Sequence, residues 1–454
     1  MNISSVVEAQ RKYFESGATR STEFRIEMLK KLRRSISDNN SAISDALMRD
    51  LNKHPYETYM CETGLVLEEI TYHIKHLAKW SRVRRVPGSI GQLPGSGRIY
   101  PEPYGVALIM APWNYPVQLC LMPLIGAISA GNCAVVKPSA YAAESSRVIH
   151  KIISDAFPPE YVSVIEGGRA ENQALLEEKF DYIFFTGSPN VGHTVMEQAS
   201  KTLTPVTLEL GGKSPVIVDE TANIPLAARR VAFGKVLNAG QTCVEPDYLL
   251  IRRSVRDRFI EEYRKALKSF FPHGDMSMMV HIINGKHFDR LAGILASGTA
   301  VIGGGSDKVS RFIEPTVLID VPLDSPAMRQ EIFGPILPVI CYDELDECID
   351  FIRSRPRPLA LYMFSEDKAA QRRVLDSCSF GGGCINDTIL HLAGSGMGFG
   401  GVGNSGMGSY HGQKSYETFT HFRSVLRQST VIDVPLRYLP YSALKDKLVK
   451  KLLK

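Results

Sequence analysis

The feature that most constrains this chain is a series of short β-branched segments that alternate with helical stretches from residue 105 onward. The first segments are GVALIM, AVVK, VSVIEG and YIFFTG, and a second series with PVIVD and YLLI begins near Leu210. Strands that alternate with helices of about 10–15 residues indicate right-handed βαβ units and a parallel sheet. Two such series predict an α/β protein with two doubly wound parallel-sheet domains.

The segments around this alternation have other patterns. Residues 1 to about 80 repeat apolar side chains at three- and four-residue spacing, which predicts helices. Residues 86–103 are rich in proline and glycine and predict a connector or an extended hairpin arm. Residues 394–412 contain nine glycines and formally satisfy G-x-G-x-x-G. No hydrophobic strand precedes that match and no helix follows within it, so an irregular loop is the preferred interpretation.

Composition and charge narrow the functional class. With 44% apolar and 22% charged residues, the 454-residue chain is typical of a soluble globular protein. The net charge of +5 lies entirely in residues 437–454, so the rest of the chain has no electrostatic footprint for nucleic acid. The eight cysteines include no C-x-x-C pair, and no metal site is predicted. The sequence shows neither a signal peptide nor a long apolar run, so a cytoplasmic protein is expected.

Three clusters contain residues suited to covalent acyl chemistry. Cys243 lies in NAGQTCVEPDY, Glu209 in TLELGGKSP, and Asn114 in APWNYP. A thiol, a carboxylate and an amide donor on loops of adjoining α/β units are compatible with a cysteine hydrolase, an oxidoreductase that forms a thioester, or no chemistry at all. A hydrolase needs a histidine base, and the nearest candidates, His411 and His421, are distant in sequence.

A nucleotide site is indicated by FFTGSPNVG, where a hydrophobic strand ends and the turn from Gly187 to Gly192 opens a helix. The free N–H groups and the dipole of a helix N-terminus favour a pyrophosphate at such a turn. Lys137 follows the strand AVVK and therefore lies at a strand's carboxyl end, where nucleotides bind in doubly wound sheets.

Taken together, these motifs resemble the aldehyde dehydrogenase superfamily, and its class 3 branch in particular. The matching stretches occur in family order between about residues 105 and 425. They are APWNYP, KPS, FTGSPNVG, LELGGKSP, NAGQTC-x-x-PDY, EIFGPILPV and FGGVGNSGMGSYHG.

The resemblance implies a role for each catalytic residue. Cys243 would attack the aldehyde, and it would need a local positive field because an ordinary thiol is mostly protonated at neutral pH. The Asn114 amide and the Cys243 backbone N–H would form an oxyanion hole. Glu209 would activate the water that hydrolyses the resulting thioester.

The resemblance also implies NAD or NADP as the cofactor. Lys137 would contact the adenosine ribose, and Ser188 with the turn from Gly187 to Gly192 would hold the pyrophosphate. Glu331 would bind the nicotinamide ribose. Trp113 and Phe333 are assigned to the same cofactor site.

Two residues depart from the family pattern. Ala140 stands where many members have a glutamate that binds the 2′-hydroxyl of the adenosine ribose, so this chain lacks a carboxylate that would repel a 2′-phosphate. Both NAD and NADP are therefore expected to be accepted. Glu245 stands two residues after the nucleophile, where relatives have a small residue. It could raise the thiol pKa, narrow the substrate entrance or point into solvent, and solvent is the preferred interpretation.

The predicted function is NAD(P)-dependent oxidation of medium-chain aliphatic or aromatic aldehydes to carboxylic acids. A CoA-acylating relative and a catalytically silent member of the fold are the alternatives. The predicted domains are a Rossmann-like NAD(P)-binding domain over 1–208, a catalytic domain over 209–392 and a C-terminal segment over 393–454. Residues 84–103 and the part of the C-terminal segment after Gly412 are assigned to a small β bridging arm that pairs subunits into a homodimer.

The basic tail, residues 437–454, repeats apolar side chains at helical spacing and has most of its lysines opposite. This predicts a short amphipathic helix. A helix that covers the dimer or the substrate entrance is the preferred interpretation, and weak peripheral contact with anionic lipid is the alternative.

Overall fold

A computed structural model describes residues 2–453. In chain order, the strands of this range are β1 Arg84–Val86, β2 Ser96–Pro103, β3 Val106–Met110, β4 Cys133–Lys137, β5 Val162–Val164, β6 Tyr182–Gly187, β7 Val206–Leu210, β8 Pro215–Val218, β9 Tyr248–Arg252, β10 Thr299–Ile302, β11 Ser306–Asp307, β12 Phe312–Ile313, β13 Thr316–Ile319, β14 Ile336–Tyr342, β15 Ala360–Phe364, β16 Gly382–Ile385, β17 Gly406–Met407 and β18 Thr420–Arg427.

The α-helices of the same range are α1 Ile3–Glu15, α2 Thr22–Asp38, α3 Asn40–Leu51, α4 Pro55–Thr58, α5 Gly64–Trp80, α6 Pro116–Ala130, α7 Ala143–Ala156, α8 Arg169–Glu177, α9 Pro189–Ser200, α10 Ile224–Val236, α11 Arg256–Phe270, α12 Gly285–Leu295, α13 Pro326–Arg329, α14 Leu345–Arg353, α15 Lys368–Ser377, α16 Gln413–Thr418 and α17 Ala443–Leu452.

The first large sheet has the order β17-β7-β6-β3-β4-β5, and all its strands are parallel except the edge strand β17. The chain runs outward from β3 to β5 and returns to place β6 on the other side of β3. This reversal is a topological switch point, where doubly wound sheets bind ligands at the carboxyl ends of their strands. Strands β3 and β4 are fully buried, as expected for a parallel sheet covered on both faces.

The second large sheet has the order β10-β13-β14-β9-β8-β15-β16 and is parallel except for β10 at one edge. The prediction of two doubly wound parallel sheets is therefore confirmed. Strand β7 of the first sheet leads into β8 of the second through residues 211–214. This short connection brings the carboxyl edge of the first sheet close to the amino edge of the second.

Helix α6 begins at the last residue of the predicted APWNYP motif, and most of its side chains are apolar. Every one of its side chains is buried, which is the environment that such a helix requires. Pro116 begins it at the position where a missing N–H has no intrahelical partner. The motif therefore lies on a fixed helix at the centre of the protein.

A small antiparallel sheet, β1-β2-β18, combines the predicted hairpin arm with residues 420–427. Its role in pairing subunits stays a prediction. The domain division also stays a prediction, and the boundary chosen between residues 208 and 209 falls inside strand β7.

The glycine-rich segment 394–412 was predicted as an irregular loop, and this is wrong for its middle part. Residues Gly406–Met407 form strand β17, with Gly406 opposite Glu209. A Cβ on Gly406 would overlap the Leu208 carbonyl oxygen, so only glycine permits this approach.

The predicted tail helix is present over Ala443–Leu452, and Lys454 lies outside the described residues. Helix α17 lines a groove of about 540 Å³ together with residues 90–94 and 428–437. Within residues 2–453, every helix is too short or too polar to cross a membrane.

Candidate active site

A cavity of about 460 Å³ lies where the carboxyl edge of the first sheet meets the amino edge of the second. Loops that follow β3 and β6, together with β7 itself, form one wall. Loops that precede β9 and β14 form the other wall. Eight of the predicted site residues line this cavity, namely Trp113, Asn114, Gly187, Ser188, Glu209, Cys243, Glu331 and Phe333.

Two predicted residues lie outside the cavity wall. Lys137 ends β4, and its ammonium group donates hydrogen bonds to the carbonyl oxygens of Pro138 and Gly167, both at 2.7 Å. Gly192 lies in the first turn of α9, where a Cβ would lie 2.7 Å from a methyl group of Leu210. Gly192 therefore permits close packing of α9 on β7.

Asn114 is buried, and its orientation is fixed from two sides. Its side-chain Nδ2 donates to the backbone oxygen of Gln241 at 2.9 Å. Its own backbone oxygen accepts hydrogen bonds from Asn238 Nδ2 at 2.9 Å and from Lys53 Nζ at 3.2 Å. Because an amide nitrogen carries two hydrogens, one donor stays available toward the cavity.

Cys243 lies on a loop that is held on both sides. The Tyr115 hydroxyl and the Thr242 hydroxyl are 2.7 Å apart, and the Tyr362 hydroxyl donates to the Val244 backbone oxygen at 2.6 Å. The preceding residues Asn238 and Ala239 have φ values of 51°, a left-handed conformation that costs energy and often marks functional sites. The nucleophile thus extends from a constrained turn.

The environment keeps the Cys243 thiol protonated. Burial raises its pKa most, and the nearby carboxyl groups of Glu331 and Glu209 raise it further. Hydrogen bonds from the backbone N–H groups of Cys243 and Val244 act in the opposite direction. The expected positive field is therefore not supplied by side chains among the described residues.

Glu209 is buried on β7, and neither carboxyl oxygen has a hydrogen-bond partner among residues 2–453. Burial raises the pKa of this carboxyl well above its usual range. A Cβ on Gly400 would lie 3.1 Å from one of its oxygens, so the glycine-rich segment packs directly on this side chain. An unpaired buried carboxyl at a cavity wall is typical of a group kept for proton transfer.

Glu331 lies at the junction of the two sheets. Its Oε1 accepts a hydrogen bond from the Gly212 N–H at 3.1 Å. Burial, with a smaller contribution from Asp247, raises the pKa of Glu331 to about 8. The guanidinium of Arg290 donates to the backbone oxygens of Glu331 at 3.1 Å and Ile332 at 2.7 Å, which holds this loop in place.

A buried group of polar residues, which we call the Lys53 network (Lys53, Glu57, Glu62 and Asn238), supports Asn114 from behind. Lys53 and Glu62 are fully buried, with Nζ and Oε1 2.6 Å apart. The other oxygen of Glu62 accepts from the Val117 N–H at 2.9 Å, and Glu57 accepts from the Asn238 N–H at 2.8 Å. Glu62 lies in a π-helical turn, an element that frequently occurs near functional sites.

The expectation that Glu245 points into solvent is wrong. Its side chain is buried and pairs with the buried Lys235 of α10, with Oε2 and Nζ 2.8 Å apart. Its Oε1 accepts from the Gly334 N–H at 3.4 Å. The carboxylate therefore connects the nucleophile loop to the loop that carries Glu331, and a buried charge needs such pairing.

The cavity wall has groups that fit a dinucleotide. Ser188 begins α9 without a side-chain cap, so its hydroxyl and the first N–H groups of the helix are available for a phosphate. The rings of Trp113 and Phe333 meet edge to face with centroids 5.5 Å apart, which forms an aromatic wall. Ala140, three residues after Lys137, is exposed. No carboxylate is therefore present at the position where an adenosine ribose is expected.

A second space, which we call the chamber, opens on the other side of Cys243. It has a volume of about 120 Å³ and shares Leu119, Cys243, Phe399 and Tyr410 with the first cavity. Most of its remaining wall is apolar and includes Phe233, Leu237 and Ile389. The thiol therefore lies where the larger cavity, which has the acidic and amide side chains, meets a smaller and more apolar chamber.

The two histidines considered for a hydrolase differ in position. His421 lies on β18 beside Glu102, half exposed and outside both cavities. His411 is buried and lines the chamber.

Sequence reasoning missed Phe399, Tyr410 and the Lys53 network. The first two lie in a family motif that was quoted without roles. The Lys53 network had no sequence signal beyond charged residues in helical segments.

Comparison with known proteins gives relatives over almost the whole chain. The family model described as "Aldehyde dehydrogenase family" matches residues 1–425. A 4,4'-diaponeurosporen-aldehyde dehydrogenase of Staphylococcus aureus is 48% identical over 97% of both chains. A dimeric NADP-preferring aldehyde dehydrogenase of Mus musculus is 44% identical over 94% of this chain and 95% of its own. A solved substrate-bound state of Staphylococcus aureus AldH superimposes with a TM-score of 0.97 at 48% identity and covers both chains completely.

Proposed function

Because this chain belongs to the aldehyde dehydrogenase family and is an oxidoreductase that acts on aldehydes, we propose that it converts medium-chain aliphatic or aromatic aldehydes to carboxylic acids with NAD or NADP. The observation that supports this most is the convergence of Cys243, Glu209 and Asn114 on one cavity. The apolar chamber beside Cys243 offers room for the body of an aldehyde.

The proposed reaction begins when the Cys243 thiol releases its proton to solvent and the sulfur attacks the aldehyde carbon, which forms a C–S bond and places negative charge on the oxygen. The free amide hydrogen of Asn114 and the backbone N–H of Cys243 stabilise that charge, and such a donor contributes about 2.7–4 kcal/mol. When bound, NAD(P) supplies a cationic ring that favours the thiolate and accepts the hydride. The carbonyl then re-forms as a thioester on Cys243.

Glu209 removes a proton from the water that attacks this thioester, which breaks the C–S bond and releases the acid. Burial raises the pKa of this carboxyl, which makes it a stronger base than an exposed glutamate and favours proton transfer from the water. The Lys53 network keeps Asn114 in place during both steps through the contact between Lys53 Nζ and the Asn114 oxygen.

Substitution of the nucleophile tests the proposal. Cys243→Ala should abolish NAD(P)H formation from every aldehyde in a panel graded by chain length and aromaticity. Cys341→Ala makes the same chemical change at a cysteine that lines neither cavity, and it should keep wild-type rates. Unchanged turnover in Cys243→Ala would show that the mechanism is wrong and would leave a catalytically silent fold or another nucleophile.

A CoA-acylating reaction is the second candidate, because it uses the same thioester. Glu209 argues against it, since a base for water is superfluous when a thiol accepts the acyl group. Detection of acyl-CoA rather than free acid in the presence of CoA would favour this candidate.

We propose that both NAD and NADP are accepted. Ala140 places no carboxylate near a 2′-phosphate, and the exposed Arg169 begins α8 two residues after Gly167, whose oxygen binds Lys137. An arginine near the ribose accommodates a 2′-phosphate in other dinucleotide sites. A kcat/KM for NAD more than about a thousandfold above that for NADP would contradict the proposal.

We also propose a homodimer formed through the β1-β2-β18 arm, with α17 as part of that surface. Residues 437–453 line neither the cavity nor the chamber, which favours a role at the arm over a role at the substrate entrance. Equal co-sedimentation with anionic liposomes by the full chain and by a form lacking 437–454 would exclude lipid contact by the tail.

A further inference from the structure

The chamber beside Cys243 contains two buried polar side chains. His411 is 3% exposed, and its Nε2 has no hydrogen-bond partner among the described residues. Gln118, in the first turn of α6, is 5% exposed. Both residues line the chamber. A buried polar group without a partner is costly, so His411 Nε2 is available to a ligand, and Gln118 adds a polar amide to the same wall.

His411 is held in a strained backbone conformation. Its φ is 79°, in the left-handed region. Its N–H donates to the Ser415 hydroxyl at 2.8 Å, and the Gly412 N–H donates to Glu69 Oε1 at 2.6 Å. These two contacts keep the imidazole against the chamber although the conformation is unfavourable by itself.

The protonation state of His411 defines what it recognises. Burial lowers its pKa to about 4, so the ring is neutral at physiological pH. The ring also forms a hydrogen bond with the backbone of Leu392. Because Nε2 has no partner among the described residues, Nδ1 is the nitrogen that forms this hydrogen bond. A neutral imidazole with its proton on Nδ1 presents Nε2 as an acceptor. His411 therefore suits a hydrogen-bond donor.

The size of the chamber limits the ligand body. An apolar cavity of about 150 Å³ holds benzene, and the chamber has about 120 Å³. A single ring is therefore the largest body that the chamber can take beside Cys243, with part of it in the opening to the larger cavity. Met60 and Leu390 are partly exposed at the wall, so a longer group would extend past them to the surface.

From this geometry we propose that Gln118 and His411 select compact, single-ring aldehydes that carry a hydroxyl group on the ring. This inference rests on the proposed function, because it names the substrate class of the same site. The apolar wall takes the ring, Cys243 receives the aldehyde carbon, and the hydroxyl donates to His411 Nε2 or bonds to the Gln118 amide.

The test compares substrates of matched size. We expect kcat/KM for 3- or 4-hydroxybenzaldehyde to exceed that of the corresponding methylbenzaldehyde by about tenfold, the effect of one or two neutral hydrogen bonds. His411→Phe and Gln118→Leu should each bring this ratio close to one. Gln118→Leu changes a position on a regular helix, so it keeps the test valid if His411→Phe does not fold. His421→Phe makes the same change on β18 and should leave the ratio as in the wild type.

A direct binding measurement separates this inference from the proposed function. Calorimetry with 4-hydroxybenzyl alcohol and 4-methylbenzyl alcohol needs no turnover, and the hydroxylated compound should bind about tenfold more tightly. If no aldehyde is oxidised but this difference appears, the proposed function fails, while recognition of a ring hydroxyl by Gln118 and His411 stands. A wild-type ratio at or below one for both ring positions, or ratios unchanged in both variants, would overturn the inference.

Discussion

Two buried carboxyl side chains near Asn114 have opposite environments. Glu62, in the Lys53 network, has a cation 2.6 Å from one oxygen and two backbone N–H groups directed at the other, at 2.9 and 3.4 Å. Glu209, across the cavity, has no partner on either oxygen among the described residues. Both side chains are at most 2% exposed, so the difference lies in pairing and not in burial.

This difference separates a structural carboxylate from one kept for chemistry. Burying a charge is costly unless it is paired and hydrogen-bonded, so the interior stabilises Glu62 as an anion. Within the described part of the chain, Glu209 has no such partner, and burial raises its pKa with no cation nearby to lower it. The free-energy cost of an unpaired buried carboxyl therefore falls at the position where the proposed reaction needs proton transfer.

The largest expected effect comes from Glu209→Gln. Loss of a general base should lower steady-state turnover by about 10²–10⁴-fold, while one equivalent of NAD(P)H still forms rapidly in a single turnover. The same variant should be more stable by about 1 kcal/mol, because an unpaired buried acid is replaced by a neutral amide. Stopped-flow absorbance and chemical denaturation measure the two effects.

Normal turnover in Glu209→Gln would remove Glu209 from the base role. A loss of stability would show instead that this carboxyl is paired in solution, and the contrast with Glu62 would no longer hold.

The next largest effect concerns Glu62, the carboxylate that is paired with Lys53. Lys53→Met leaves Glu62 as an uncompensated buried charge and should destabilise the protein by about 3–5 kcal/mol. The Asn114 backbone oxygen also loses one donor, so kcat/KM should fall as well. Urea denaturation and steady-state kinetics test this prediction.

Lys12→Met is a matched control, because Lys12 pairs with Glu8 on an exposed helix face. It should change stability by less than about 0.5 kcal/mol. The double variant Lys53→Met with Glu62→Gln should recover part of the loss, since Glu62 then no longer leaves a buried charge without its partner. Equal effects of the Lys53 and Lys12 substitutions would contradict the structural role of the Lys53 network.

The last prediction is a pH dependence of stability at Glu331. Its pKa is about 8 in the folded protein against 4.5 ordinarily, so the folded state holds a proton that the unfolded chain lacks between these values. Stability should therefore fall as pH rises through this window, by at most about 1.4 kcal/mol per pH unit from this group. Glu331→Gln should flatten that part of the profile of Tm against pH, and an unchanged slope would contradict it.

The local sequence was sufficient for the strands and for the positions of the cavity residues. β-branched runs such as that of β3 form buried strands wherever helices alternate with them, and Asn114 and Ser188 follow such runs directly. Because the carboxyl ends of parallel strands lie at one edge of the sheet, residues in the loops that follow these strands lie close together. Their proximity can therefore be predicted from the sequence. The predicted roles of these residues remain to be tested by substitution.

The position of Glu245 could not be predicted from the sequence. A carboxylate after the nucleophile was expected in solvent, since acidic residues are almost never fully buried unless paired. Its partner, Lys235, lies ten residues earlier on α10, and the spacing in the sequence does not indicate that the two side chains form an ion pair. Pairing across a turn depends on the left-handed backbone at Asn238 and Ala239, which sequence patterns do not reveal.

The sequence by itself determined the two parallel sheets, the tail helix and the family, because hydrophobic periodicity and ordered motifs are local properties. Only the tertiary structure decided the charge state of the interior, since a carboxyl's pKa depends on which groups surround it in space. Lys53, Glu62 and His411 are far from Cys243 along the chain, and packing alone brings them to Asn114 and to the chamber.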